Sequence, residues 1–354
     1  MDILFVTDLY PILNSEKNTP KTLYSFVNEW KKLGHNVNVL KPNFLFNSFL
    51  RKKPFYKTGQ YEDVYNVNYI TPFLFNVKNK IPEFHYDIIV AHMPSGIIFS
   101  NKLEGNLICA VHHSDLEVLT NPVYSFYFKP QMEKAYNRAL GIACRSRVLR
   151  EKFLKLYPQF ESKTFLCESG IDFEPICSAK NLRKNVVTCA NLIKRKNTDK
   201  LILAINDMPE LNLTVIGDGK ELKRLKKIAK DNITFLGYQN NNKVREIMKN
   251  SDIFILPSIN ETFGMVYLEA MANGCITVCT KNDGIDGIIS DGKNGFLVEP
   301  NVYSIKSVLK KILQLSEDDV HFILKNCYNT VKSYNSVHCA DEYIQNILKL
   351  YKGN

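Results

Sequence analysis

The chain has 354 residues, 45% of them apolar and 23% charged, with a formal net charge of +10. Such a length is too great for one ordinary core and suits two domains of about 150 to 180 residues each. The near-average composition predicts proper globular cores and excludes a membrane-spanning helix, since no run reaches the roughly 18 uninterrupted apolar residues required.

The opening run Ile3–Thr7 has neither a basic flank nor a small-residue cleavage site, so it reads as a buried first strand rather than a signal peptide. Thr22 to Leu33 places apolar residues at 23, 26, 27, 30 and 33, a helical spacing that ends on Gly34 as a C-terminal cap. Further strands are predicted at Val37–Leu40, Asp87–His92, Leu107–His113, Gly141–Ser146 and Thr164–Cys167. Between them, Phe44 to Tyr61 interleaves aromatic and basic residues, a composition suited to lying on an anionic bilayer. Glu168–Lys184 holds Gly170 and Pro175 without clear periodicity. We expect an interdomain linker over 168–185, between an N-terminal domain of residues 1–167 and a C-terminal domain of residues 186–335.

The second half starts a fresh set of strands at Val186–Ala190, Leu213–Gly217, Ile233–Leu236, Ile253–Leu256, Ile276–Cys279 and Gly295–Val298. Each is followed by turn residues and a helical stretch, the sequence form of βαβ units and parallel sheets. A closing helix, Ala340–Tyr351, has apolar residues at 344, 347, 348 and 350, and we expect residues 336–354 to pack back toward the N-terminal domain. The fold class is therefore α/β, with two doubly wound, Rossmann-like domains.

The nine cysteines form no Cys-x-x-Cys pair and no Cys/His cluster with zinc spacing, so they read as buried thiols of a reducing cytosol. Positive charge attracts anions. Nucleic acid is disfavoured because no helix-turn-helix, RNP-type or finger pattern accompanies the charge. A phosphate-bearing substrate and an anionic membrane surface remain, for a cytoplasmic protein with peripheral membrane contact.

Ligands of open parallel sheets bind outside the carboxyl ends of the strands. Immediately after Ile253–Leu256 comes Pro257-Ser-Ile-Asn-Glu261-Thr-Phe-Gly264-Met-Val-Tyr-Leu-Glu269-Ala-Met-Ala-Asn-Gly274. We expect a helix from about Phe263, whose first backbone N–H groups and positive end make a site for a diphosphate. Eight residues of helix return a side chain to within roughly 80° of its starting direction, so Glu261 and Glu269 line one wall at different depths. Ionised carboxylates are acceptor-only groups suited to the paired hydroxyls of a ribose or a sugar.

This frame resembles the donor signature of family 4 glycosyltransferases (GT4), retaining enzymes of the GT-B fold grouped among the glycosyl transferases group 1. Gly217-Asp-Gly219, Ile233-Thr-Phe-Leu-Gly237, Gly284-Ile-Asp-Gly287 and Asp291-Gly-Lys-Asn-Gly295-Phe-Leu-Val arrive in the order such enzymes show. The likeness is dense over about residues 186 to 300 and thin in the first half. It implies that Glu261 contacts the donor sugar, Glu269 the ribose hydroxyls, and the backbone at Phe263, Gly264 and Met265 the diphosphate, with Gly217, Tyr238 and Thr262 also on the donor side. Lys196, read as a surface cation, would neutralise the diphosphate. Asn191 stands where the family usually has an arginine, so Arg195 or Lys194 would have to complete the cationic clamp. The family's Gly-Gly-rich first loop is replaced by Leu13-Asn-Ser-Glu-Lys-Asn18-Thr-Pro20, and its sugar-side glutamate by Gly287, with Asp286 adjacent. In the first half, His112 resembles the strand-end histidine that faces the transferred sugar, with His113 as its alternate, and His92 is a candidate on the acceptor side.

The resemblance implies a retaining transferase that moves a sugar from a nucleotide diphosphate sugar, UDP-sugar first among them, to a glycan, lipid-linked or protein acceptor in polysaccharide, glycolipid or glycoprotein assembly. It implies no covalent nucleophile. No Asp-x-Asp metal motif is present, so neither metal nor cofactor is expected. A sugar-nucleotide epimerase and a non-catalytic nucleotide-sugar-binding partner are the alternatives.

Overall fold

A computed structural model describes residues 1–12, 22–44, 56–69, 81–176 and 184–353. The chain divides into two compact units. The first takes residues 1–145, 149–169 and 336–354, and the second takes 146–148 and 170–335.

The first unit holds an eight-stranded sheet ordered β3-β4-β2-β1-β5-β6-β7-β8. Its elements are β1 (Asp2–Val6), α1 (Thr22–Lys32), β2 (Asn36–Phe44), β3 (Gly59–Tyr61), β4 (Val64–Tyr69), β5 (Ile88–His92), α2 (Met93–Ser100), β6 (Asn106–Val111), α3 (His113–Thr120), α4 (Pro122–Arg138), β7 (Gly141–Cys144), most of α5 (Arg147–Leu156), β8 (Thr164–Leu166) and the chain's last helix, α12 (Ser336–Lys352). All pairings are parallel except β3 with β4. β1, β5 and β6 carry almost unbroken apolar runs because both faces of the sheet are covered. Leu23, Phe26, Val27 and Trp30 of α1 face the core. The helix ends on Gly34 at φ 88°. There the N–H groups of Gly34 and His35 return to the carbonyls of Lys31 and Trp30, the hydrogen-bond pair of a glycine-capped helix end. Trp30 Nε1 donates to the Ala340 carbonyl at 2.8 Å, which ties α12 to α1.

The second unit has a parallel six-stranded sheet ordered β11-β10-β9-β12-β13-β14. Its elements are β9 (Asn185–Cys189), α6 (Thr198–Asn206), β10 (Asn212–Ile216), α7 (Leu222–Ile228), β11 (Ile233–Gly237), α8 (Asn241–Lys249), β12 (Ile253–Leu256), α9 (Met265–Ala272), β13 (Ile276–Thr280), β14 (Phe296–Val298), α10 (Val302–Leu313) and α11 (Glu317–Ser333). β9 and β12 are neighbours although two strands, β10 and β11, separate them in chain order, so the turns after both strands lie side by side at the carboxyl edge.

Three expectations change, and a fourth lies largely outside the described residues. The span proposed to lie on a membrane falls largely outside the described residues at 45–55, and its far end, Gly59–Tyr61, is an antiparallel edge strand on β4. β4 itself reads VYNVNY, and its central Asn66 is buried. The Asn66 amide donates to the carbonyls of Tyr56 and Lys57, so a polar residue serves an inward position. The linker expected over 168–185 does not stand outside both units: Ile171 pairs with Asn335, and Ile176 N donates to the Ala272 carbonyl. Helix α9 begins at Met265 rather than Phe263, and β6 ends at Val111, two residues before the expected His113.

Candidate active site

Two turns at the carboxyl edge of the second sheet hold one charged cluster. Past β9, Lys194–Lys196 form a short 3-10 turn closed by Asn197 in the left-handed region, at φ 49°. The Asn197 amide donates to the Pro257 carbonyl at 3.0 Å, and Ile259 N donates to the Arg195 carbonyl at 2.8 Å. These bonds dock the lysine turn onto the loop that follows β12. A Cβ on Gly217 would lie 1.8 Å from the Ala190 carbonyl oxygen, and φ there is 128°. Only glycine lets the end of β10 pass so close to β9.

Lys196 Nζ donates to Glu261 Oε2 in a short contact, with side-chain exposures of 11% and 14%. Lys196 is thus a buried, paired cation and not the surface cation expected. Arg195 Nη1 lies 3.5 Å from the same oxygen, so Arg195 reaches the cluster in a chain with Asn191, which is exposed. Ser258 Oγ lies 3.4 Å from Glu261 Oε2 and 3.0 Å from the Tyr267 hydroxyl, which donates to the Leu256 carbonyl. The backbone N–H of Glu261 donates to both Asp283 oxygens, at 3.2 and 3.1 Å. Burial alone would raise the Glu261 carboxyl, but the ammonium of Lys196, with Arg195 behind it, outweighs that and holds it below the ordinary glutamate value.

Gly264 caps α9 at φ 92°. A Cβ there would meet the Tyr267 ring at 2.5 Å. The first N–H groups of the helix, at Met265 and Val266, have no acceptor within it. Thr262, Gly264 and Met265 are half-buried at this end, whereas the Phe263 side chain is in the core, which leaves only its backbone to a ligand. Asp286 accepts the Asn282 N–H and serves its own turn beside Gly287.

Glu269 behaves oppositely to Glu261. Burial raises its carboxyl above the ordinary value; Arg245 lowers it and Asp172 raises it, without reversing the direction. No hydrogen bond or ion pair holds that carboxylate among the described residues. Arg245 donates instead to Asp172 at 3.1 Å and lies over the Phe173 ring. Burial pushes the thiol of Cys189, at the end of β9, up to about 12, with Glu269 adding to the shift and Lys196 opposing it. Tyr238 follows β11 with its side chain exposed.

The histidines lie in the first unit. His112 has an extended backbone and caps α3, its N–H bound at 2.7 Å by Asp115, so it belongs to a helix start rather than to the strand. His113 is the first residue of that helix and is half-buried. His92 is 0% exposed. Its Nδ1 lies 3.0 Å from His112 Nε2, and its Nε2 lies 3.2 Å from the Tyr343 hydroxyl of α12. With both ring nitrogens engaged, His92 has none to offer an acceptor, which corrects its acceptor-side assignment. The residue after it, Met93, takes φ 68° as α2 begins, a costly conformation outside glycine. α2 sits close against β1 because Gly96 has no Cβ to strike the Val6 carbonyl.

Tyr343, Ser258 and Asp283 were not singled out from the sequence. Tyr343 adjoins the apolar spacing of the closing helix and reads as core; its hydroxyl was the only available signal. Residues 13–20, the replaced first loop, lie outside the described residues. The eight described cysteines are all free thiols, seven of them buried. Among the described residues, no three His, Cys, Asp or Glu side chains gather to hold a metal, and no helix is long and apolar enough to cross a membrane.

Residues 176–332 match the family "Glycosyl transferases group 1". An uncharacterized glycosyltransferase of Methanocaldococcus jannaschii is 26% identical over 317 residues, covering 84% of this chain and 87% of that one. Among solved structures, sucrose-phosphate synthase from Thermosynechococcus elongatus superposes with a TM-score of 0.75 at 15% identity, over 100% of both chains. HepE of Anabaena, solved in complex with UDP, gives 0.71 at 17% identity, over 99% of this chain and 100% of that one. The fold is the GT-B fold.

Proposed function

We propose that the chain, whose residues 176–332 match the glycosyl transferases group 1 family, transfers a sugar from a nucleoside diphosphate sugar to an acceptor hydroxyl with retention of anomeric configuration. The observation that carries this reading is the buried Lys196–Glu261 pair docked beside the start of α9. A departing diphosphate gains negative charge, and fixed donors aimed at it lower the barrier. Lys196, Arg195 and the first N–H groups of α9 supply that charge stabilisation without a metal.

In this reading Glu261 holds Lys196 until the donor arrives. The diphosphate then takes the ammonium, and Glu261, kept ionised, accepts hydrogen bonds from sugar hydroxyls. Glu269 accepts from the ribose, an arrangement that relieves its unpartnered carboxylate. His112 keeps the role the resemblance implies, a contact to the transferred sugar. UDP is the nucleotide we propose, as in the HepE complex. The acceptor is a glycan, lipid-linked or protein hydroxyl of surface-polymer, glycolipid or glycoprotein assembly, reached by a cytoplasmic enzyme with peripheral membrane contact.

Thermal-shift screening of nucleotide sugars, followed by NMR of the product, tests the reading. Specific binding stabilises by about 2.7 kcal/mol at a hundredfold excess over Kd. UDP-sugars should raise the melting temperature, and the released or transferred sugar should keep the donor configuration. An inverted product, or a chain stabilised by no nucleotide sugar, would remove it.

A further inference from the structure

Glu261 uses its two carboxylate oxygens unequally. Lys196 Nζ, Arg195 Nη1 and Ser258 Oγ all approach Oε2. Among the described residues no hydrogen bond or ion pair reaches Oε1. The stem of the side chain is wedged, since a Cβ on Gly264 or on Gly284 would lie 3.3 Å from Glu261 Cγ. The backbone N–H is tied to Asp283. A carboxylate so held does not follow Lys196 when the ammonium turns to a diphosphate. A largely buried charge that loses its partner is strongly destabilised, so another donor has to take the place of Lys196 at Oε2. Arg195 is a weak substitute: it lies 3.5 Å away and its side chain is 42% exposed, so water screens its charge.

Ser258 has the geometry for that part. It follows β12 directly and is 0% exposed, and Tyr267, in the first turn of α9, is 1% exposed. The Tyr267 hydroxyl lies 2.8 Å from the Leu256 carbonyl oxygen, which can only accept, so the phenolic hydrogen is committed there. Ser258 Oγ lies 3.0 Å from the Tyr267 oxygen, and the hydrogen between them therefore comes from the serine. That same hydrogen has a second acceptor in reach, Glu261 Oε2 at 3.4 Å. The longer separation exceeds the ordinary O–H···O range of about 2.5–3.0 Å. With Lys196 on Oε2, the serine hydrogen rests on Tyr267. A hydroxyl hydrogen turns about a single bond, and a hydrogen bond to an ionised acceptor is roughly twice as strong as a neutral one. Once Lys196 leaves, Oε2 becomes the better acceptor.

We infer that Ser258 is a positioning residue with two hydrogen-bond states: it donates to Tyr267 while Lys196 holds Glu261, and to Glu261 Oε2 once a diphosphate draws Lys196 away. The turn of one hydroxyl keeps the carboxylate compensated and in place, and leaves Oε1 for the sugar. Tyr267 supplies the resting acceptor because its own hydrogen is spent on Leu256. The inference rests on reading Lys196 as the cation that moves to the nucleotide diphosphate. The choice between the two acceptors needs no ligand.

Two double-mutant cycles on the full chain test it. In the first, UDP is titrated calorimetrically into the parent, Ser258→Ala, Glu261→Gln and the double variant. Ser258→Ala should weaken UDP about tenfold, or about 1.4 kcal/mol, because Glu261 then lacks its substitute donor in the bound state alone. In the Glu261→Gln background the same change should alter affinity by less than about twofold. Equal weakening in both backgrounds would overturn the inference, since a serine that merely shapes the turn acts whatever stands at 261. The second cycle uses no nucleotide. Lys196→Ala imitates the departed ammonium, and Ser258→Ala should lower the melting temperature by about 2–4 °C more in that background than in the parent. Additive losses would overturn the two states of Ser258. A parent that bound no UDP would remove the nucleotide reading, while this second cycle still decided the serine.

Discussion

The two units treat their buried ionisable groups in opposite ways. In the second, Lys196 and Glu261 are buried as a charged pair, each compensating the other. In the first, His92 and His112 are buried as neutral rings joined by a hydrogen bond. A pair of charges can be opened by a ligand that replaces one partner, which suits a site that receives a diphosphate. A neutral chain has no charge to exchange and keeps one geometry, which suits a contact that must stay directional. The contrast teaches that burial alone does not mark function; what matters is whether a ligand can take over the compensation.

The largest expected effect comes from breaking the charged pair. Lys196→Ala removes the main cation at the proposed diphosphate site and should lower turnover about 10²- to 10³-fold, the usual cost of losing one transition-state charge donor. Because Lys196 is buried, the variant also strands Glu261, and removing one partner of a buried pair costs about 3–5 kcal/mol, less whatever Arg195 replaces. Calorimetric melting should show the loss of stability, with partial recovery in the Lys196→Ala/Glu261→Gln double variant. Equal stability of single and double variants would mean that the pair is not coupled in solution.

Glu269 sharpens the comparison because it is a half-buried acid whose carboxylate has no partner among the described residues. Glu269→Gln should weaken UDP about 10- to 150-fold, the loss of a charge-assisted hydrogen bond of about 1.5–3 kcal/mol. It should also melt higher than the parent at pH 7 without ligand. The raised folded-state value means that ionised Glu269 opposes folding at neutral pH. That penalty disappears once pH falls below the ordinary glutamate value, so the gain in melting temperature should vanish near pH 4. Glu261 has the reverse sign: its lowered value stabilises the fold above the ordinary glutamate range and loses that contribution as pH falls through the folded-state value.

A smaller effect tests the frame rather than the charges. Gly264→Ala forces a side chain into the left-handed region, at about 1–2 kcal/mol, and against the Tyr267 ring. UDP affinity should fall together with stability. A variant with parental affinity would show that the cap does not shape the nucleotide site.

Much of this was legible in the sequence, and the remainder fails for identifiable reasons. Apolar runs between turn residues mark the central strands because both faces of each sheet are covered, and the Glu261–Glu269 frame follows β12 directly. β4 escaped because Asn66 interrupts its apolar pattern while its amide is satisfied by the chain at Tyr56 and Lys57. Phe263 looked like a helix start because nothing local shows that Gly264 takes a positive φ. The burial of Lys196 depends on Asn197 and Arg195 docking onto residues some sixty positions away. His92 meets Tyr343 across 251 positions, and no local pattern signals that contact.

The exchange of Lys196 from Glu261 to the diphosphate is the centre of the account, and isothermal titration of UDP into Glu261→Gln tests it most directly. Glutamine removes the charge that competes for Lys196 and leaves the bare nucleotide no sugar to miss. The account predicts UDP binding at least as tight as in the parent, in a variant whose turnover of the UDP-sugar found by the thermal-shift screen is severely reduced. UDP binding weakened about tenfold or more, by about 1.4 kcal/mol, would contradict it, because Glu261 would then be holding the nucleotide itself.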